Sequence, residues 1–152
     1  MSRQDTVPSA SAAIGAALYG LATRAARRLP RGMSLTSAAT LATLDRTGPR
    51  RITDLAAVEG VTQPAMTTLV RVMEESGLVE RRGDPSDKRV TLVCLTEAGA
   101  SYVRTRHQAG VHAFERLIGK LADDEIEALA AALPALKHLA ELESQDREGP
   151  KR

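Results

Sequence analysis

At 152 residues, with 43% apolar and 26% charged side chains, the chain has room for one domain with a helical extension and a core that needs no staples. Aromatics make up 2% and Trp is absent, which argues against an aromatic platform for stacking bases or sugars; one Cys excludes an intrachain disulfide framework and a multi-Cys zinc site. The net charge of +2 says little until it is sorted by position: residues 1–51 carry +6, residues 52–106 carry −1 and residues 107–152 carry −3, so a basic first third stands beside an acidic last third.

The longest apolar run, Ala12 to Ala22, spans 11 residues, against the ~20 needed to cross a bilayer. Its flanks do not suit a signal peptide: the basic residues Arg24, Arg27 and Arg28 follow it where small cleavage-site residues would stand. Ile14, Leu18, Leu21, Ala25 and Leu29 instead recur at helical spacing. This predicts an amphipathic first helix over 9–29, broken by Pro30-Arg31-Gly32. With no disulfides, the expected compartment is the cytoplasm.

A second helix is expected over 34–46, with Leu35, Ala38, Ala39, Ala42 and Leu44 available for its buried face, ended by Gly48-Pro49. A short helix over 52–59 carries Ile52, Leu55, Ala56 and Val58, and Gly60 suits a left-handed cap. Thr62 then offers an N-cap hydroxyl, and Pro64 fits the first turn of a helix running to Ser76. Met66, Leu69, Val70 and Met73 form the inner stripe of that helix. The period then shortens. Residues 78–82 and 89–95 read as strands joined by the turn formers Gly83-Asp84-Pro85-Ser86-Asp87, a β-hairpin. A long helix follows from Thr96 to about Leu121, and a last one from Asp123, whose acidic start suits the helix dipole. Pro134 is expected to kink or divide it, and the tail beyond Glu143 to fray.

Short helix, glycine turn, second helix and hairpin, in that order, describe a winged helix-turn-helix. If Met66, Leu69, Val70 and Met73 face inward, Gln63, Pro64, Thr67, Thr68 and Arg71 face out, with Thr62 at the start. Small polar residues at the N-terminal end of a helix let its backbone approach base edges in the major groove. The same face is also what an ordinary solvated helix shows. The hairpin adds Arg81, Arg82, Lys88 and Arg89 at or beside its tip, where cations reach phosphates or a narrow minor groove.

These residues resemble the multiple-antibiotic-resistance regulator (MarR) family over about residues 10–143. The likeness is carried by the run from Val61 to Arg81, by Asp84-Pro-Ser-Asp-Lys-Arg89 and by Leu95-Thr-Glu-Ala-Gly99. It implies a mainly α chain with a small β-wing: a winged helix-turn-helix domain over 34–99, and a helical dimerisation domain from 1–33 and 100–152. It implies a cytoplasmic homodimer that binds double-stranded DNA, more often a repressor than an activator, on a palindromic operator. The family's wing motif is commonly Asp-Arg-Arg; here it reads Asp87-Lys88-Arg89. An orienting ion-pair role therefore passes to Asp87 and minor-groove contact to Arg89, while Lys88 lacks the planar fork for a bidentate contact. Thr68 often matches an Arg in relatives, which implies a different base preference.

Family members often release DNA on binding a small phenolic or other aromatic acid. Tyr19, Arg27, Arg28, Arg31 and His112 are the residues that suit such a pocket, although packing at a surface or dimer interface accounts for each of them as well. Cys94, on the second strand, reads as a small buried hydrophobe. His107 and His112 miss the i, i+4 spacing of a helical metal site. No metal, cofactor or enzyme chemistry is expected, since there is no nucleophile with a matched base and no phosphate-binding glycine loop. The competing reading is a winged helix used as a protein-interaction module without DNA binding.

Overall fold

The structure, a computed structural model, describes residues 9–28, 32–87 and 89–148, with side chains left out at 26–28 and 146–148. The chain divides into two compact units, Met1–Gly32 and Met33–Arg152. The first holds α1 (Ala10–Arg28), which starts where the Ser9 hydroxyl accepts the Ala12 N–H at 3.3 Å.

The second unit opens with α2 (Leu35–Thr47), capped by Ser34, whose Oγ accepts the Ser37 N–H at 3.0 Å. The buried face of α2 is rotated from the expected one. Leu41 is fully buried beside Ala38 and Leu44, while Leu35 is 61% exposed and Ala42 also faces solvent. The rotation is possible because three polar residues on the buried side, Ser37, Thr40 and Thr43, are satisfied: Ser37 Oγ pairs with Ser34 Oγ, Thr40 donates to the Thr36 carbonyl at 2.9 Å, and Thr43 donates to Glu59 Oε1 at 2.8 Å. Hydroxyls partnered in this way lower the cost of burial.

Two helices then follow, α3 (Ile52–Val58) and α4 (Gln63–Glu75). Both end in the same device. Gly60 (φ 64°) and Gly77 (φ 71°) take the left-handed conformation. Behind each, paired bonds close the helix: Val61 N–H to Ala56 O and Gly60 N–H to Ala57 O after α3, Leu78 N–H to Met73 O and Gly77 N–H to Glu74 O after α4. Thr62 caps the start of α4, its Oγ1 accepting the Ala65 N–H at 3.4 Å.

Strands β1 (Val79–Gly83) and β2 (Thr91–Leu95) pair antiparallel, Val79 opposite Leu95 and Gly83 opposite Thr91. On the far side of β2, Arg50 exchanges backbone bonds with Val93 at 3.1 and 2.8 Å, a one-residue third strand. Arg89 and Val90, expected in the second strand, lie in the loop. Asp87 captures both: its carboxylate accepts the Arg89 N–H at 3.0 Å and its carbonyl the Val90 N–H at 2.9 Å. Local turn bonds thus win over ladder bonds at the tip.

Leu41, Leu44, Leu55, Met66, Val70, Met73, Val79 and Val93 form the core between α2, α3, α4 and the hairpin. From it extend α5 (Glu97–Ile118) and α6 (Asp123–Glu148). Thr96 caps α5 and ties it to the end of α4, accepting the Gly99 N–H at 3.1 Å and donating to the Gly77 carbonyl at 2.7 Å. The acidic start of α6 supplies one half of a capping box, Glu125 Oε2 accepting the Ala122 N–H at 2.9 Å. Of the two outcomes expected at Pro134, division of the helix does not occur, and α6 runs on past Glu143 to Glu148. Its neighbours are strong helix formers, and Ala130, whose carbonyl loses the proline's N–H, is exposed and can be hydrated.

Candidate nucleic-acid interface

The outward face of α4 carries Gln63, Pro64, Thr67, Thr68 and Arg71, all exposed, with exposed Thr62 occupied as the cap. Burial of Met66, Val70 and Met73 against the core fixes this orientation. The two threonines point their protons back along the helix: Thr67 Oγ1 donates to the Gln63 carbonyl at 2.9 Å and Thr68 Oγ1 to the Pro64 carbonyl at 3.1 Å. What they offer outward is therefore a methyl group and hydroxyl lone pairs. Arg71 Nη1 donates to Glu75 Oε1, one turn on, at 2.6 Å.

Beside α4, the hairpin presents the remaining cations. Arg81 stands opposite Val93 in the ladder, its Nε 3.6 Å from Glu74 Oε2 on α4. Arg82 pairs with Glu80, two residues back on the same strand. In the loop, Asp87 Oδ1 holds Arg89 through both its backbone N–H and its Nε, at 3.0 and 3.2 Å, and the Arg89 side chain is still 91% exposed. Lys88 lies outside the described residues. A second carboxylate shapes the first half of the loop. Asp84 Oδ1 accepts the Ser86 hydroxyl at 2.6 Å and the Ser86 N–H at 2.8 Å. These bonds, the hydroxyl first, hold the Asp84 carboxyl below its ordinary 3.8, and the nearby positive charge of Arg51 adds to them.

The residues named for an effector pocket do not fall within one described unit. Tyr19 is exposed on α1 in the first; His112 is exposed on α5 in the second, its Nδ1 2.8 Å from Glu115 Oε2. The Arg27 side chain and Arg31 lie outside the described residues. Cys94 is buried. Among the described residues, no three of His, Cys, Asp or Glu are grouped to hold a metal ion, and no helix is long and apolar enough to cross a membrane.

Two features of the interface escaped the sequence reading. Arg50 joins the wing sheet across more than forty residues of chain, and no local pattern signals that. Of the carboxylates Glu74, Glu75 and Glu80, partners of three interface arginines, only Glu75 is signalled locally, by its i, i+4 spacing from Arg71.

A winged helix-turn-helix with this layout invites comparison with known proteins. Residues 33–91 match the family model described as "MarR family". An uncharacterized HTH-type transcriptional regulator of Mycobacterium bovis is 30% identical over 100 residues, 66% of this chain and 70% of the relative. The chain belongs to the MarR family. This MarR-family protein is thus a winged-helix, DNA-binding transcriptional regulator and not an enzyme. It is also 27% identical to the uncharacterized HTH-type transcriptional regulator YxaD of Bacillus subtilis over 59% of this chain, and it spans 63% of that relative's length. Among solved structures, a point mutant of Staphylococcus aureus MepR bound to an oligodeoxyribonucleotide has the same fold: TM-score 0.64, 22% identity, covering 90% of this chain and 99% of MepR.

Proposed function

We propose that this MarR-family protein is a cytoplasmic homodimeric repressor that reads a palindromic operator, α4 of each protomer in the major groove and each wing over the adjacent minor groove. The observation that carries the reading is a pair of exposed features, one on α4 and one on the wing. Pro64, Thr67, Thr68 and Arg71 are short or donor-bearing groups suited to base edges, and Arg89, steadied by Asp87, extends from the wing tip. Thr62 and Gln63 belong to the same groove-facing end and Arg81 and Arg82 to the first strand of the wing, while Lys88, outside the described residues, is a wing candidate from the sequence. The MepR mutant bound to an oligodeoxyribonucleotide supports DNA as the partner.

The dimer rests on α5 and α6. Leu129, Leu133, Leu136, Leu139 and Leu142 are each between 36% and 51% exposed, and Phe114, Leu117 and Ile118 on α5 are exposed in the same range. Between Asp123 and Gln145 only Ile126, Ala132 and Ser144 are even half-buried. An apolar helix left so uncovered belongs against a partner, and a two-fold pair of recognition helices one DNA turn apart reads a palindrome. Repression then follows by occlusion of the promoter. Release by a small aromatic or phenolic effector completes the reading, on family likeness alone, with Tyr19, Arg27, Arg31 and His112 as candidates.

The test is a footprint on the promoter beside the protein's own gene, together with sedimentation equilibrium. The expected result is a two-fold-symmetric protected site of two half-sites and a mass of two chains. A monomer, or no sequence-selective protection, would overturn the proposal, and the latter would favour a protein-interaction module.

A further inference from the structure

The DNA-facing segment from Thr62 to Arg89 contains five Lys or Arg and five Asp or Glu residues and is electrically neutral. Among the described residues, the arginines of this segment stand beside carboxylates. Arg71 is held by Glu75 at 2.6 Å, Arg81 stands 3.6 Å from Glu74, and Arg82 is paired with Glu80. Each pair engages one guanidinium nitrogen, Nη1 of Arg71, Nε of Arg81 and Nη2 of Arg82. A guanidinium has five N–H donors in a rigid fork, so each paired arginine keeps donors to spare while its charge is cancelled at short range.

Resting on the proposed DNA-binding reading, we infer that Glu74, Glu75 and Glu80 set the protein's sequence discrimination by screening its interface arginines from phosphate. Binding to arbitrary duplex depends almost wholly on cations meeting phosphates and displacing counterions. A neutral interface gains little from that. Operator binding uses shape and aligned hydrogen bonds, which a paired arginine still supplies from its free nitrogens. The carboxylates therefore weaken unspecific binding more than specific binding, and the ratio between the two widens. They are positioning residues that act through the arginines.

The experiment compares the full-length protein with Glu75→Gln, Glu74→Gln and Glu80→Gln, singly and together. Two probes are used: a duplex selected from a random pool by the unmodified protein, and a scrambled duplex of equal length and composition. Gln preserves size and helix propensity, and thermal melts report folding. Each substitution is expected to raise scrambled-duplex affinity by about threefold, the scale of an exposed ion pair. The salt dependence should steepen by up to about 0.9 log unit per log unit for each further phosphate that a released arginine neutralises. Affinity for the selected duplex should change by about twofold or less, so discrimination falls. A folded triple variant with unchanged scrambled-duplex affinity and salt slope would overturn the inference, as would an equal rise on both probes. If the unmodified protein selects no duplex, the DNA-binding reading fails first and takes this inference with it.

Discussion

Replacing Gly99 with Ala sets two effects of opposite sign against each other. Gly99 lies in the first turn of α5, and exchanging Gly for Ala in a helix ordinarily stabilises by up to ~1 kcal/mol. Here a Cβ would collide with the Leu78 carbonyl oxygen, and it would come within 2.7 Å of Leu95 Cδ1 and 3.1 Å of the Leu78 carbonyl carbon. The leucine methyl can swing aside. The Leu78 peptide cannot, because its N–H is bonded to the Met73 carbonyl at 2.9 Å and its oxygen to the Thr96 N–H at 3.1 Å. Relief requires the start of α5 to move off the wing root, which strains the Thr96 bonds to Leu78 and Gly77. Such bonds contribute about 1 kcal/mol each, and overpacking of this type costs about 1–3 kcal/mol. The collision outweighs helix propensity, and the variant should lose roughly 1–3 kcal/mol net. Urea unfolding at fixed protein concentration would show a lower midpoint with an unchanged slope. A midpoint equal to or above that of the unmodified protein would refute the argument that backbone contact, not propensity, governs this position.

Arg89→Ala should weaken operator binding and leave thermal stability nearly unchanged, since the side chain is 91% exposed and its one ion pair is local; unchanged affinity in a gel shift would remove the wing tip from the interface. Thr68→Ala or Arg71→Ala should shift base preference by ~1–3 kcal/mol at individual operator positions in a binding-site selection, whereas a uniform loss across sequences would make these residues phosphate contacts. Asp84 should titrate below 3.8 by carboxyl NMR, because the Ser86 hydroxyl and N–H favour its charged form. Its depressed value means that its contribution to the wing loop is complete above the ordinary aspartate range and is lost as pH falls through the folded value; a midpoint at or above 3.8 would contradict the hydrogen-bonded loop.

What could be read in the sequence was what neighbouring residues decide among themselves. Ser34, Thr62 and Thr96 start helices because a side-chain oxygen reaches an amide three residues on, and Gly60 and Gly77 end them because a left-handed turn favours glycine. The outward residues of α4 follow from its inward ones by simple periodicity. The parts not legible depend on distant partners. Leu41 enters the core and Leu35 does not because α2 is rotated toward α4 and the hairpin, and Thr43 can be buried because Glu59, sixteen residues away, meets it. The loop position of Arg89 likewise reflects Asp87 competing with the sheet for its amide, a contest that strand propensity alone does not weigh.

The Arg50–Val93 bridge makes β2 a central strand rather than half of a free ribbon. The hairpin therefore has a root clamped on both sides, and beyond its last strand pair, Gly83 with Thr91, the described bonds run within the loop, Asp84 N–H to Val90 O and Val90 N–H to Asp87 O. The spacing between α4 and the wing root is thus set by the fold and not by the loop that joins the two strands.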